Sequence, residues 1–266
     1  MTGRVLIVAG SDSGGGAGIQ ADIKAVSALD GYAATAITAL TAQNTLGVHG
    51  VHGVPTDFIQ QQMRVVLGDI GADAIKTGML HSSAVIEAVA EVLRAEGAGI
   101  PVVVDPVMIA KGGAALLEDD AVATLKSVLL PLAALLTPNI PEAEALTGQT
   151  IADDRAMQAA GEALMAAGAG AVLVKGGHMG GPLVRDLLIA ADGTRIFENP
   201  RIDTVHTHGT GCTLASAIAA GLAQGLSVAG AVGRAEAYLH EAIRRAPGYG
   251  RGHGPVAHMH TVRAFP

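Results

Sequence analysis

Tryptophan is absent from this 266-residue chain, and phenylalanine and tyrosine occur three times each, so aromatics make up 2% of it. Its core must therefore be built from alanine, valine, leucine, isoleucine and methionine, and it offers few rings for nucleic-acid bases to stack on. Positive charge is also scarce, with 17 Lys and Arg against 24 Asp and Glu and a net charge of −7. That balance argues against nucleic acid as a partner. Cysteine occurs once, at position 212. A single cysteine excludes an intrachain disulfide framework and fits a reducing cytoplasm. Without a second cysteine or an H-E-x-x-H sequence, a zinc site is not expected. The N-terminus, Met1-Thr2-Gly3-Arg4, runs straight into a strand-like segment with no visible secretory signal.

What is abundant is apolar residues (50%) and glycine (36 residues). Residues 211–233 carry no charge, yet glycines at 211, 221, 225, 230 and 233 and the polar Ser216, Gln224 and Ser227 argue against a membrane span. Leu214, Ile218 and Leu222 recur every four residues, which predicts a buried helix, a break at Gly225-Leu226-Ser227 and a second helix.

Short β-branched runs alternate with helical patterns along the whole chain. Strands are expected at 5–9, 35–39, 74–77, 102–105, 134–137, 171–175, 187–190 and 195–198, the last two as a hairpin around Asp192-Gly193. Helices are expected at 17–29, 56–67, 82–96, 119–130, 142–146, 154–167, 211–223 and 228–245. Asp57 and Ser82 read as helix starts, and Gly68 and Gly168 as residues following helix ends. Continuous apolar strands separated by helices predict one α/β domain over residues 1–266, a three-layer α/β/α sandwich with a mostly parallel sheet.

In such sheets ligands bind beyond the carboxyl ends of the strands. Polar and glycine-bearing segments fall there: Gly10-Ser11-Asp12, Thr41-Ala42-Gln43-Asn44, Thr77-Gly78-Met79, Asp105-Pro106, Thr137-Pro138-Asn139 and Lys175-Gly176-Gly177. The run from Gly10 to Gly18 lacks G-x-G-x-x-G spacing and no Walker A sequence is present, so a nicotinamide oxidoreductase is a weak reading. The run reads either as a turn or as a loop enclosing a small polar substrate. Asp105 either caps the next segment or serves a magnesium-bound water. Asn139 and Glu142 form either a helix-capping box or a pair holding Mg²⁺ beside phosphates. Lys175 among glycines suits a nucleotide phosphate. The loop Thr207-His208-Gly209-Thr210-Gly211-Cys212 opens a helix, so its backbone N–H groups and the helix dipole are suited to an anion. That setting is expected to lower the Cys212 thiol pKa, unless the residue is only a small buried hydrophobe. His208 is placed to shape the loop, and the remaining histidines read as surface or packed residues.

Taken together, Ala9–Asp12, Gly14–Lys24, Thr38–Thr45, Lys76–Leu80, Asp105–Met108, Thr137–Ala143, Lys175–His178, Thr207–Thr213 and Gly252–Val256 resemble the hydroxymethylpyrimidine/phosphomethylpyrimidine kinases of thiamine synthesis, a branch of the ribokinase-like kinases. The segments follow in order over nearly the whole chain. The resemblance implies a ribokinase-like fold and ATP- and Mg²⁺-dependent phosphorylation of 4-amino-5-hydroxymethyl-2-methylpyrimidine and then of its monophosphate. It also implies a homodimer with a small-molecule substrate in the cytoplasm. It assigns Gln43 to the pyrimidine edge, with Asp22, Met79, Gly10 and Val107 around the ring. Lys175, Thr210, Asn139 and Glu142 fall to ATP, and Asp105 and Glu142 to magnesium. The anion hole is given to Gly209, Thr210 and Gly211, and the catalytic position to Cys212. Two residues depart from the family's pattern: Ser13 where proline is frequent, implying a less rigid first loop, and Glu236 where lysine is frequent, putting nucleotide contacts from its helix in question. Rival readings are a pyridoxal kinase of the same branch and a non-catalytic pyrimidine-binding protein.

Overall fold

The computed structural model describes residues 2–109, 113, 116–118 and 120–263. Strand β1 (Arg4–Ala9) leads through α1 (Gly18–Ala28) to β2 (Tyr32–Ile37), and β3 (Ala39–Asn44) and β4 (Gly47–Gly53) then form a separate antiparallel pair. α2 (Thr56–Asp69), β5 (Ala74–Thr77), α3 (Ser83–Glu96) and β6 (Val102–Val104) continue the alternation. They are followed by α4 (Ala121–Thr124), β7 (Leu135–Leu136), α5 (Ile140–Thr147), α6 (Asp154–Ala166) and β8 (Val172–Lys175). The chain closes with the hairpin β9 (Leu183–Ala190) and β10 (Gly193–Pro200), then α7 (Thr210–Ala223) and α8 (Val228–Arg244).

Among the described residues the main sheet has eight strands in the order β10-β9-β8-β7-β6-β5-β1-β2. It is parallel from β2 to β8, and β9 and β10 add antiparallel. Residues of β1 alternate between the sheet's faces and are buried on both. Leu6 and Val8 join a core with Ile59, Met63, Val85 and Val89, whereas Val5, Ile7 and Ala9 join one with Val26, Leu214 and Ile218. Helices therefore cover both faces, as expected for strands with no polar side. The result is a three-layer α/β/α sandwich.

Most elements lie where the periodicity places them, including the Ser82 cap, whose side chain accepts from Val85 N, and Gly225 at φ +85° between α7 and α8. Three expectations change. Residues 41–44, read as a loop, belong to β3; burial alternates along it, but Thr41 is turned inward and Leu40 outward at 47% exposure, so no apolar alternation announces the strand. Gly68 lies inside α2, which runs on to Asp69. The helix expected over 119–130 is irregular: residue 119 lies outside the described residues, and α4 passes into a wide π-type turn at Leu125–Leu129 and a tight one at Leu130–Leu132.

After α8 the chain returns across the amino end of α7. His208 N donates to Gly254 O (3.1 Å), Ala257 N to Ala242 O (2.9 Å) and the Tyr238 hydroxyl to His258 O. Thr213 Oγ1 donates to Gly209 O at 2.7 Å and so accepts from His258 Nε2 at 3.0 Å, which places a proton on Nε2. Burial, aided by the positive charge of Lys24, pushes His258 down to about 4. The unfolded chain takes up a proton that the native site refuses, so stability is complete above about pH 6.5 and falls as pH drops towards 4, by at most about 3 kcal/mol. Urea melts at pH 7, 6 and 5 should show this loss, and His258→Gln should flatten it. Parallel slopes for both proteins would assign the loss to other groups.

Candidate active site

The C-terminal ends of β1, β5, β6 and β8 deliver Gly10, Thr77, Asp105 and Lys175 to one rim, and Asn139 bridges to Lys175 in parallel register. Two cavities open there. One, of about 440 Å³, is lined by Gly10, Gln43, Met79, Val107, Asp105, Glu142, Gly209 and Cys212 among others. The other, of about 270 Å³, runs between the β9–β10 hairpin and α8 past Asp186, Asn199, Leu239 and Ile243. They share Asn139, Lys175, His178, Thr207, Thr210 and Gly211, so each reaches the same point from a different side.

That point is the amino end of α7. Gly209 caps the helix at φ +79°, a conformation that favours glycine, and a Cβ there would lie 1.8 Å from Gly16 O. Among the described residues the N–H groups of Gly209, Gly211 and Cys212 have no hydrogen-bond acceptor, and Thr210 N has only a long bond to Thr207 O at 3.4 Å. Free N–H groups at the positive end of a 14-residue helix make an anion site. No side chain shields it: a Cβ on Gly211 would stand 3.4 Å from Lys175 Nζ and 3.7 Å from Asp105 Oδ2.

Lys175, 12% exposed, lies 3.3 Å from Asp105 Oδ1 and 4.0 Å from Glu142 Oε2. Burial alone would neutralise it, but the two carboxylates hold it charged and raise its pKa. Asn139 and Glu142 do form the capping box: Glu142 N donates to Asn139 Oδ1 (2.9 Å) and Asn139 N to Glu142 Oε2 (2.8 Å). The Asn139 side chain is thereby committed to the helix, while the Glu142 carboxyl still lines the larger cavity. Burial first, then the neighbouring Asp105, push Glu142 up to about 7. Asp105 Oδ2 is buried and has no donor among the described residues. An orphaned carboxylate oxygen beside a second carboxyl fits a cation. Among the described residues no cluster of three metal-ligating side chains occurs.

Cys212 lines the same cavity, but its thiol is not activated. Burial, reinforced by Asp22 and Asp105, pushes it up to about 12, against the opposing pull of Lys76 and the Gly18 N–H. The lowered pKa expected from the loop is reversed because burial of the sulfur, with the charges of Asp22 and Asp105, outweighs the stabilisation that Lys76 and the Gly18 N–H give a thiolate. Asp22 does not reach the ring cavity. It is fully buried, bonded by both oxygens to Lys76 Nζ at 2.9 Å and by Oδ1 to the Ser216 hydroxyl at 2.7 Å. Its assignment to the ring is thus corrected: it neutralises Lys76, whose side chain lines the cavity instead.

Asp12 is the site residue that sequence reasoning passed over. At 1% exposure its carboxylate accepts from Gly14, Gly16 and Ala17 N–H (2.8, 3.0 and 2.8 Å) and from His208 Nε2 (2.8 Å). Burial would raise its pKa, but these donors lower it. The signal was an acidic residue just before one glycine loop and a histidine within the second. Because His208 Nε2 donates to Asp12, it cannot accept from Gln43 Nε2 at 3.4 Å; the Gln43 amide, with only another 3.4 Å contact to Thr41 Oγ1, is free to turn to a ligand. Ser13 does not loosen its loop. Its hydroxyl donates to Gln43 O (2.9 Å) and accepts from Gln43 N (2.8 Å), tying the glycine run to β3.

Residues 12–257 match the family of phosphomethylpyrimidine kinases. The chain is 51% identical to the hydroxymethylpyrimidine/phosphomethylpyrimidine kinase of Rhizobium meliloti (strain 1021), covering 98% of each. It is 54% identical to the thiamine biosynthesis bifunctional protein ThiED of Geobacter sulfurreducens over 97% of this chain and 52% of that one, so it spans about half the length of that relative. Among solved structures it resembles the ADP complex of Bacillus subtilis pyridoxal kinase (TM-score 0.90, 35% identity, 97% and 98% of the chains). It also resembles phosphomethylpyrimidine kinase from Clostridium difficile 630 (TM-score 0.81, 41% identity, 90% and 99%). With its ribokinase-like sandwich and a bare anion-binding helix end between two cavities, this chain belongs to the phosphomethylpyrimidine kinase family.

Proposed function

We propose that the protein transfers the γ-phosphoryl group of ATP to the hydroxymethyl oxygen of 4-amino-5-hydroxymethyl-2-methylpyrimidine, then adds a second phosphoryl group to the monophosphate. The product is the pyrophosphate that thiamine diphosphate synthesis consumes. The observation that carries this reading is the meeting of two cavities at Lys175, Thr210 and Gly211, beside the free N–H groups that open α7. Phosphoryl transfer asks mainly for positioning and charge stabilisation, and these residues supply both. Gly209, Thr210, Gly211 and Cys212 N–H groups hold the group in transfer, and Lys175 balances the leaving diphosphate. Asp105 and Glu142 would hold Mg²⁺, which when bound neutralises phosphate oxygens. Gln43 reads the pyrimidine edge, with Gly10, Met79 and Val107 enclosing the ring. The same chemistry serves a pyridoxal kinase, the reading favoured by the likeness to the Bacillus subtilis enzyme. A second phosphorylation of the product separates the two, and incubation with ATP, Mg²⁺ and each alcohol reads it directly.

A thiol held near 12 is protonated in the resting site, so only its small thiolate fraction can serve as a base. The hydroxyl proton therefore leaves as the P–O bond forms, which a loose transition state allows, and Cys212 receives it through its small thiolate fraction. The second step needs no such help, because a phosphate monoester arrives ionised. One kinase domain over the whole chain, working in the cytoplasm as a homodimer, completes the proposal. Leu40, Leu46 and Val51 on the β3–β4 pair are 47%, 55% and 41% exposed and favour a second copy there.

Three measurements test this. The single-turnover rate of the first step relative to the second should rise about tenfold per pH unit between about pH 7 and 9, as the thiolate fraction does. Cys212→Ala should abolish that slope and slow the first step about 10²-fold or more; equal losses in both steps would reduce Cys212 to a phosphate-positioning residue. Gln43→Ala should raise the KM for the pyrimidine about 10- to 100-fold with kcat largely kept, and an unchanged KM would place the ring elsewhere. Sedimentation at micromolar concentration should give a dimer, and a monomer would remove the role assigned to β3–β4.

A further inference from the structure

We propose that Glu236, with Asp186 and Asn199, forms a hydroxyl-binding subsite that receives the ribose of the nucleotide. The inference rests on the kinase reading above and extends it to the choice of phosphoryl donor.

Glu236 lies on α8 and faces the smaller cavity, and it is 7% exposed. Its Oε2 accepts from Asn199 Nδ2 at 3.0 Å, but its Oε1 is buried without a donor among the described residues. Its neighbour Asp186, 6% exposed, is another carboxyl, whose Oδ1 accepts from Gly176 N at 2.8 Å. The two carboxyls are hydrogen-bonded to each other through a shared proton, and the lone pairs left over in this open cavity are costly to bury unless a ligand supplies donors.

The order of residues along the cavity says which ligand group arrives there. Asp186 pairs in register with Lys175, the residue at the phosphate end. Leu239 and Ile243 follow Glu236 at helical spacing and line the cavity further along α8, an apolar wall for a flat base. The carboxyls thus stand between the phosphates and the base. A phosphate would be repelled there. A sugar hydroxyl is suited to it, since it donates to a carboxylate and accepts from a protonated carboxyl. Burial and the facing Asp186 push Glu236 up to about 9, so the pair holds a proton at neutral pH and spares a bound nucleotide one negative charge.

Turnover of ATP, 2′-deoxy-ATP and 3′-deoxy-ATP by the wild-type protein tests this. At least one deoxynucleotide should lose about 10-fold or more in kcat/KM, because its removal leaves a buried acceptor unpaired. Glu236→Ala should narrow that gap to within about threefold, chiefly through the KM for ATP and without change in the KM for the pyrimidine. Calorimetric binding of ADP and its two deoxy analogues to the wild-type protein gives the same comparison should the variant fold poorly. Equal use and equal binding of all three nucleotides would overturn the subsite, as would a gap that survives Glu236→Ala. Activation by potassium over sodium that Glu236→Ala removes, with no discrimination among the nucleotides, would also overturn it in favour of a bound cation. Absence of turnover with ATP for every alcohol, while the nucleotides bind with the expected preference, would instead sink the kinase reading and leave the subsite standing.

Discussion

The site is assembled around one buried carboxylate. Asp12 gathers three N–H groups of the first glycine loop and the His208 ring of the second, across 196 residues of sequence. This clamp brings Gly16 O so close to Gly209 that no side chain fits between the loops. Charge-assisted bonds to an ionised acceptor are about twice as strong as neutral ones, and here four converge on one group. Release of that carboxylate would free the glycine loop, the anion loop and the strand that carries Gln43 together, since Ser13 links the first loop to β3.

Around this frame, charge is arranged in buried, compensated groups. Lys76 is held by Asp22 from behind, and Lys175 by Asp105 and Glu142. Buried pairs of this kind contribute little net stability, because desolvation offsets attraction. Their effect is to keep ammonium groups charged in a place where water is scarce and a phosphate is to be received. The same burial works against the lone thiol, which lacks a dedicated cation and so keeps its proton.

How far the chain could be read in one dimension varies with the kind of interaction. Strands β1, β5, β6 and β8 and the helices α1, α3, α6, α7 and α8 were legible because two-sided apolar runs and amphipathic turns are local signals. Gly209, Thr210, Gly211, Lys175, Asp105 and Glu142 were legible because each follows a strand or opens a helix, and all of them line the shared cavity. The β3–β4 pair was not, since Leu40 and Val51 face outward while Thr41 is buried, so polarity does not follow the two-residue period of burial. Asp22 looked like a ring contact beside the glycine loop, yet the turn of α1 directs it inward to Lys76, more than 50 residues away. Nothing in the local sequence distinguishes those two directions.

The sequence by itself determined the class of architecture, the rim on which ligands gather and the loop that holds an anion, since strand ends, glycine spacing and helix starts are all written in consecutive residues. Only the tertiary structure decided the protonation of Cys212, the pairing of Asp12 with His208 and the meeting of Glu236 with Asp186. These depend on which distant groups share a buried volume, and burial sets the energy of a charge more than the identity of its neighbours in sequence does.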